Sequence, residues 1–324
     1  REAARLMNME VRGNFLEEGT GKRAKSNVIH FRSAKDLEEA GQYLDGLKAG
    51  RDKRNRPGKD DKVLTDWNSL MISALSRSYQ TFGSKEHLDA AEDAADLLLS
   101  KMYVNGRLHH SFRNGKVSIP AMLDDHAFLG CALLDLYEAT FEIVYLEKAL
   151  EIIKTMIDGF WDSEGGGLFQ TADDGEQLLF RPKEAYDGAM PSGNSAAFDL
   201  LIRASRMTGD HELEDRAVDI YRSFSDDIKR SPGSHSWMLK GVMHHIGPSS
   251  EIVLVGDRNE KALLDMVKIV RGSALQSKVI MLKDTEKDGG RLAGIAPFTK
   301  DSEMMGGLPT AYVCHGWNCD VPTN

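Results

Sequence analysis

The chain has 324 residues, 41% hydrophobic and 28% charged, a balance that fits a soluble globular protein of about two domains with a sizeable core. Its formal charge of -9 excludes a general surface for nucleic acid or anionic membrane. No apolar run reaches the ~18 residues of a membrane-crossing helix, no signal peptide is visible, and the 3 cysteines do not suggest a secreted disulfide framework, so a cytoplasmic location is expected.

Residues 1–33 are polar and interrupted by Gly13, Gly19 and Gly21, and within them only 27–31 (NVIHF) reads as a strand. Leu37, Ala40, Leu44 and Leu47 recur at helical spacing and predict a helix from about Ser33. The run RDKRNRPGKDDK, broken by Pro57-Gly58, reads as a solvated connection.

From Lys62 to about Arg230 the text repeats as helix, short turn, helix. Asn68–Phe82 pairs with His87–Met102, Asp125–Phe141 with Tyr145–Phe160, and Asn194–Met207 with Glu212–Ile228. The units are too widely spaced for tetratricopeptide repeats of about 34 residues or HEAT repeats of about 40–47. The two helices of a unit differ in kind. Phe128, Leu129, Cys131, Ala132, Leu133, Leu134, Leu136 and Tyr137 cover nearly every direction of one helix, which must be buried all round. Its partner keeps Leu146, Ala149, Ile153, Met156 and Phe160 on one stripe, opposite Glu147, Lys148, Glu151 and Lys154. An inner layer wrapped by an outer one satisfies both, so the fold class expected is mainly α, an apparently incomplete α/α toroid; a plain solenoid is the competitor.

Between the units lie GRLHHSF-RNG-KVSI and GGLFQTA-DDG-EQLLF, each with the spelling of a β-hairpin turn. They would gather at the N-terminal rim of the inner helices, with Asp66-Trp67-Asn68, Asp124-Asp125-His126 and the stretch from Glu184 through Asp187 and Ser192 to Asn194. After a last helical run at 234–246 come an apolar strand (251–256), a helix (259–270) and two further strands (278–282, 310–314), which imply a small α/β segment with a parallel pair. The expected division is 1–250, a toroid segment with a polar lead-in, and 251–324, the α/β segment.

KVLTDWNSLMISAL, MLDDHAFLGCALLDLYEATF, FWDSEGGGLFQT, RPKEAYDGAMPSGNSAA and TAYVCHGWNC together resemble the thioredoxin-domain proteins of the spermatogenesis-associated (domain of unknown function 255) type. The resemblance implies a six-hairpin toroid similar to the N-acylglucosamine 2-epimerases and toroidal glycoside hydrolases. It also implies a chain like the C-terminal half of a family member; the open ring would expose apolar edges of its inner helices, so completion by the missing N-terminal part or by self-association is expected.

Asp66, Asp124, Asp125, Glu184 and Asp187 are the carboxylates expected at the rim. Glycoside hydrolysis needs two carboxyl groups flanking the bond; the bland counterpart is helix capping, which explains one acid per helix but not a doublet. An epimerase needs a base near neutral pH, for which His126 is best placed; of His109 and His110, adjacent on a strand, at most one faces a cavity. Trp67, beside Asp66 at the same rim, offers an aromatic face for a sugar, against the commoner role of a buried anchor of its helix; Met238 and Met243 read as core. Asp125 and Asp187 are thus the expected catalytic pair, with His126 and Glu184 in support and Asp66, Trp67, Asn68, Asp124, Ser192 and Asn194 as substrate contacts. Cys314-x4-Cys319 beside a single His315 spells neither a zinc site nor a redox pair. No metal and no cofactor are expected. The functional reading is acid/base isomerisation or hydrolysis of a sugar or polyol, against a non-catalytic scaffold, a ligand-binding module or an accessory to a redox domain.

Overall fold

The structure, a computed structural model, describes every residue except Gln177, Leu178, Gln276 and Asp288. It divides into two compact units, Arg1–Asp61 and Lys62–Asn324.

In the first unit, helices α1 (Glu2–Leu6) and α2 (Ala34–Asp52) close on Leu6, Met7 and Ala40. Ser33 starts α2 by accepting the Asp36 N–H. Of the expected stripe only Ala40 is buried; Leu37, Leu44 and Leu47 are exposed. Residues 27–31 form no strand. Asn14 occupies the Val28 backbone instead, accepting its N–H at 2.7 Å and donating to its carbonyl at 2.9 Å.

The second unit opens with β1 (Val63–Leu64) and the hairpin α3 (Thr65–Phe82) and α4 (Lys85–Lys101). Strands β2 (Tyr103–Val104), β3 (Arg107–Arg113) and β4 (Lys116–Pro120) lead to α5 (Leu123–Thr140) and α6 (Ile143–Phe160). Then follow α7 (Gly193–Thr208), α8 (His211–Arg230) and α9 (Ser236–Ile246). Helix α5 packs between α3 and α7, and α7 between α5 and α9, while α4, α6 and α8 each lie against their own inner partner. This is the α/α toroid arrangement read from the sequence. Phe128 and Leu133 are buried, as an all-round apolar helix requires, and Lys154 on the outer helix is exposed. Gly130 lets α5 and α7 approach: a Cβ there would meet Leu200 Cδ2 at 2.5 Å.

Ion pairs on the buried carboxylates Asp135, Glu138 and Asp199 join the inner helices in series. Arg77 of α3 forks onto Asp135 of α5 (3.0 and 3.1 Å). Arg203 of α7 reaches Asp135 and Glu138, each at 2.8 Å. Asp199 of α7 accepts from Lys240 and His244 of α9, each at 2.7 Å. Burial alone would raise the Asp135 carboxyl, but the Arg203 and Arg77 guanidiniums hold it below its ordinary range. Met238 is core, whereas Met243 is exposed, contrary to its reading from sequence.

At 113–115 the structure has the hairpin turn expected, with Asn114 and Gly115 at φ 51° and 76°, joining β3 to β4. Residues 173–175 are in a turn without flanking strands; the second arm of that expected hairpin includes Gln177 and Leu178, outside the described residues. The two connections share a rim even so, because Arg107 forks onto Asp174 (3.0 and 2.8 Å).

The C-terminal segment is a sheet in the order β6-β5-β7-β8, formed by β5 (Ser249–Gly256), β6 (Ser277–Asp284), β7 (Thr310–His315) and β8 (Asn318–Cys319), with helices α10 (Lys261–Gly272) and α11 (Gly289–Ile295). Strands β5 and β6 are parallel, with Ile252 opposite Ile280, and β7 is antiparallel to β5. Glu138 of α5 accepts the Ile280 N–H (3.1 Å), tying this sheet to the helical layer. Cys314 and Cys319 form a disulfide, which the sequence reading did not expect. The tight turn at Gly316-Trp317, both at positive φ, sets the two cysteines directly opposite each other on β7 and β8. Among the described residues, no helix is long and apolar enough to cross a membrane.

Candidate functional site

Strand β1 runs straight into α3 and pairs with β3, Leu64 opposite Ser111, which carries His110 to the start of α3. The N-terminus of α5 arrives at the same place. Asp125 accepts the Asp66 N–H (3.1 Å) on Oδ1 and the Met122 N–H (2.8 Å) on Oδ2. It therefore caps its own helix from the third position and binds the first turn of the neighbouring one. His110 Nδ1 lies 3.0 and 3.2 Å from the two Asp125 oxygens. Asp66, His110 and Asp125 each offer a ligand atom within 4.8 Å of the others, a spacing compatible with one metal ion.

Burial and charge shift the protons of this group. The hydrogen bond to Asp125 raises the His110 imidazole above its usual range, with the Asp125, Asp66 and Asp124 charges adding and burial opposing. Burial raises the Asp66 carboxyl, and the charge of Asp125 adds to it. Burial pushes Asp124 up to about 6, with Asp125 and Asp66 adding, while Gln170 and the Gly193 N–H pull the other way. Asp124 Oδ1 is buried against the start of α7 at Gly193. Residue 193 has to be glycine for this packing: a Cβ would sit 2.4 Å from Asp124 Oδ1 and 2.6 Å from Leu123 Cγ. The starts of α3, α5 and α7 thus meet at one rim.

The other residues singled out by sequence are employed differently. Asp187 Oδ1 accepts the Ser192 N–H (2.9 Å), and its Oδ2 accepts those of Trp237 (2.7 Å) and Met238 (3.2 Å) at the start of α9. Ser192 caps α7 by accepting the Ser195 N–H at 3.1 Å. Asn194 accepts from Leu168 N (2.9 Å) and donates to Leu168 O (2.9 Å) and Glu184 O (3.0 Å), joining two loops. The Glu184 side chain is exposed and lines a cavity of about 540 Å³ with Lys183, Tyr186 and His235. His126 is buried against Phe160, donates from Nδ1 to Met122 O (2.9 Å), and borders a separate cavity of about 570 Å³ with Arg107 and Asp174. Burial holds its imidazole below the ordinary range. Asn68 donates to Leu64 O (2.7 Å). Trp67 is 59% exposed, so it is not a buried anchor of its helix.

The sequence reading missed His110. Alternation on β3 leaves open which of His109 and His110 turns inward; the pairing with β1 decides it, and His109 instead meets the carbonyls of Met102 and Arg107.

Stacked helical hairpins whose inner helices begin at a common polar rim define the α/α toroid class. No protein-family model matches the chain. Over 290 residues it is 33% identical to Spermatogenesis-associated protein 20 of Homo sapiens, covering 86% of this chain and 37% of that protein. An uncharacterised protein of Caenorhabditis elegans is 30% identical over 296 residues, covering 89% of this chain and 39% of the relative. The chain is a homologue of these spermatogenesis-associated proteins and spans a little over a third of the length of the curated relatives it matches. Among solved structures, cellobiose 2-epimerase of Spirochaeta thermophila matches with a TM-score of 0.43 and 16% identity, covering 50% of this chain and 43% of that one. A family 76 α-mannanase of Bacteroides thetaiotaomicron gives 0.44 and 17%, covering 59% and 56%. Likenesses of this size carry nothing about chemistry.

Proposed function

We propose that this chain carries the acid/base rim of a carbohydrate-processing toroid and acts on a sugar or polyol by isomerisation or hydrolysis. The supporting observation is the convergence of Asp66, Asp124, Asp125 and His110 where two inner helices begin. Either reaction needs one group that gives a proton and another that takes one. Asp124, whose carboxyl burial pushes up to about 6, gives the proton. Asp125, oriented by two backbone N–H groups and His110, supplies the opposing carboxylate. The exposed Trp67 ring beside Asp66 offers a face for a sugar to stack on. Trp67, Met71 and Phe82 also leave one side of α3 exposed, which supports completion of the ring by further helices, from a longer polypeptide or a second copy.

A second reading, a scaffold or ligand-binding module, is favoured by Asp187 and Asn194, whose side chains are occupied with backbone groups. The deciding experiment is a panel of mono- and disaccharides incubated with the protein in heavy water and followed by NMR. Deuterium entering beside the carbonyl marks isomerisation, and new reducing ends mark hydrolysis. Turnover that falls at least about 100-fold in Asp124→Asn supports the acid/base reading. No turnover of any sugar by the wild type rejects it and leaves the scaffold.

A further inference from the structure

We propose that Asp66, His110 and Asp125 form a binding site for one divalent first-row metal ion, with Zn²⁺ as its best-fitting occupant. The donor set is one imidazole nitrogen and two carboxylate oxygens, which suits a borderline cation of this kind better than an all-oxygen cage for Mg²⁺ or Ca²⁺ would. Ligand atoms about 2.0–2.2 Å from a tetrahedral ion lie roughly 3.3–3.6 Å from one another. His110 Nδ1 and Asp125 Oδ1, 3.0 Å apart, are already close to that spacing. All the ligand atoms lie within 4.8 Å of one another, so closure onto an ion requires side-chain shifts of up to about an ångström.

The surroundings favour a cation. Asp66 and Asp125 are 7% and 1% exposed, and Asp124, next to Asp125 in the chain, adds a third carboxylate whose Oδ1 is withdrawn from water. Among the described residues no Lys or Arg forms an ion pair with Asp66, Asp124 or Asp125; the basic side chain present is His110. Several carboxylates withdrawn from water beside a single imidazole are poorly compensated, and a bound metal supplies the missing charge. The ligands are also pre-set. The Asp66 and Met122 N–H groups orient the Asp125 carboxylate, which is the part that partner groups play around metal ligands. The β1–β3 pairing fixes the strand that carries His110.

The metal site shares Asp66, His110 and Asp125 with the sugar reading, and binding measured with no sugar present tests it separately. Protein stripped with chelator and dialysed is titrated with ZnCl₂ in a calorimeter, and its melting is followed with and without Zn²⁺ and Mg²⁺. One Zn²⁺ per chain and a melting shift absent with Mg²⁺ are expected. His110→Gln should bind at least about tenfold more weakly and lose the shift. His109→Gln, whose ring faces backbone carbonyls, should behave as the wild type. If His110→Gln proves unfolded by circular dichroism, Asp66→Asn carries the test, since the Asp66 N–H that holds Asp125 is retained. Failure of the wild type to bind one Zn²⁺, or equal binding by the folded His110→Gln or Asp66→Asn protein, overturns the proposal.

Discussion

Replacing Asp187 by Ala separates a structural carboxylate from a chemical one. Its two oxygens accept three backbone N–H groups, from Ser192 at 2.9 Å, Trp237 at 2.7 Å and Met238 at 3.2 Å. Two of these are free donors in the first turn of α9, and the third fixes the residue that caps α7. A lost helix cap costs about 0.5–2 kcal/mol, and the further hydrogen bond to a charged acceptor brings the sum to roughly 2–4 kcal/mol. For a unit of this size that is a fall in melting temperature of about 4–16 °C. Asp187→Asn, which keeps an acceptor oxygen, should lose less than half as much. Calorimetric melting of both variants, with urea midpoints as a check, reads the effect. An Asp187→Ala protein melting within a degree of the wild type would refute the capping argument and return Asp187 to the candidate catalytic residues.

Gly193→Ala should cost about 1–3 kcal/mol, because the new methyl would lie 2.4 Å from Asp124 Oδ1; urea unfolding measures it. The Asp199 carboxyl would be raised by burial alone but is held well below its ordinary range, chiefly by the His244 hydrogen bond and then by Lys240 and Arg203. Below an unfolded-state pKa of about 3.9 the unfolded chain takes up a proton that the folded one resists. Wild-type stability should therefore fall as pH drops below about 4, and Asp199→Asn should fall less steeply; urea midpoints at successive pH values test this. Burial pushes the Cys131 thiol up to about 12, and Cys314 is bonded to Cys319. The unreduced folded protein should show no thiol reactive to a colorimetric reagent, and the unfolded protein should show one.

The repeat of all-round and one-sided helices was legible because burial on every side leaves no room for regularly placed charge. The same pattern hid the charges that are there. Asp135, Glu138, Asp199 and Arg203 fall inside runs that read as apolar, and nothing in one helix says that its acid meets an arginine on the next. The rim was legible as a set of acids before helices, but not the division of labour within it. Capping depends on which N–H groups a carboxylate faces. That separates Asp187, occupied by α9, from Asp124, whose carboxyl burial pushes up to about 6. His110 was illegible for a similar reason, since strand alternation gives two faces and only a partner strand chooses between them. Residues 27–31 misled because their apolar side chains suggested a strand while Asn14 took the Val28 backbone groups.

The central claim is that acid/base chemistry at the rim resides in Asp124 while Asp187 holds the rim together. The most direct measurement compares turnover and melting temperature for Asp124→Asn and Asp187→Asn on whichever sugar the wild type converts. The account predicts that Asp124→Asn loses at least about 100-fold in kcat and melts within about 2 °C of the wild type, while Asp187→Asn melts lower and retains most of its kcat. Full activity in a folded Asp124→Asn protein, or loss of activity without loss of stability in Asp187→Asn, would contradict it.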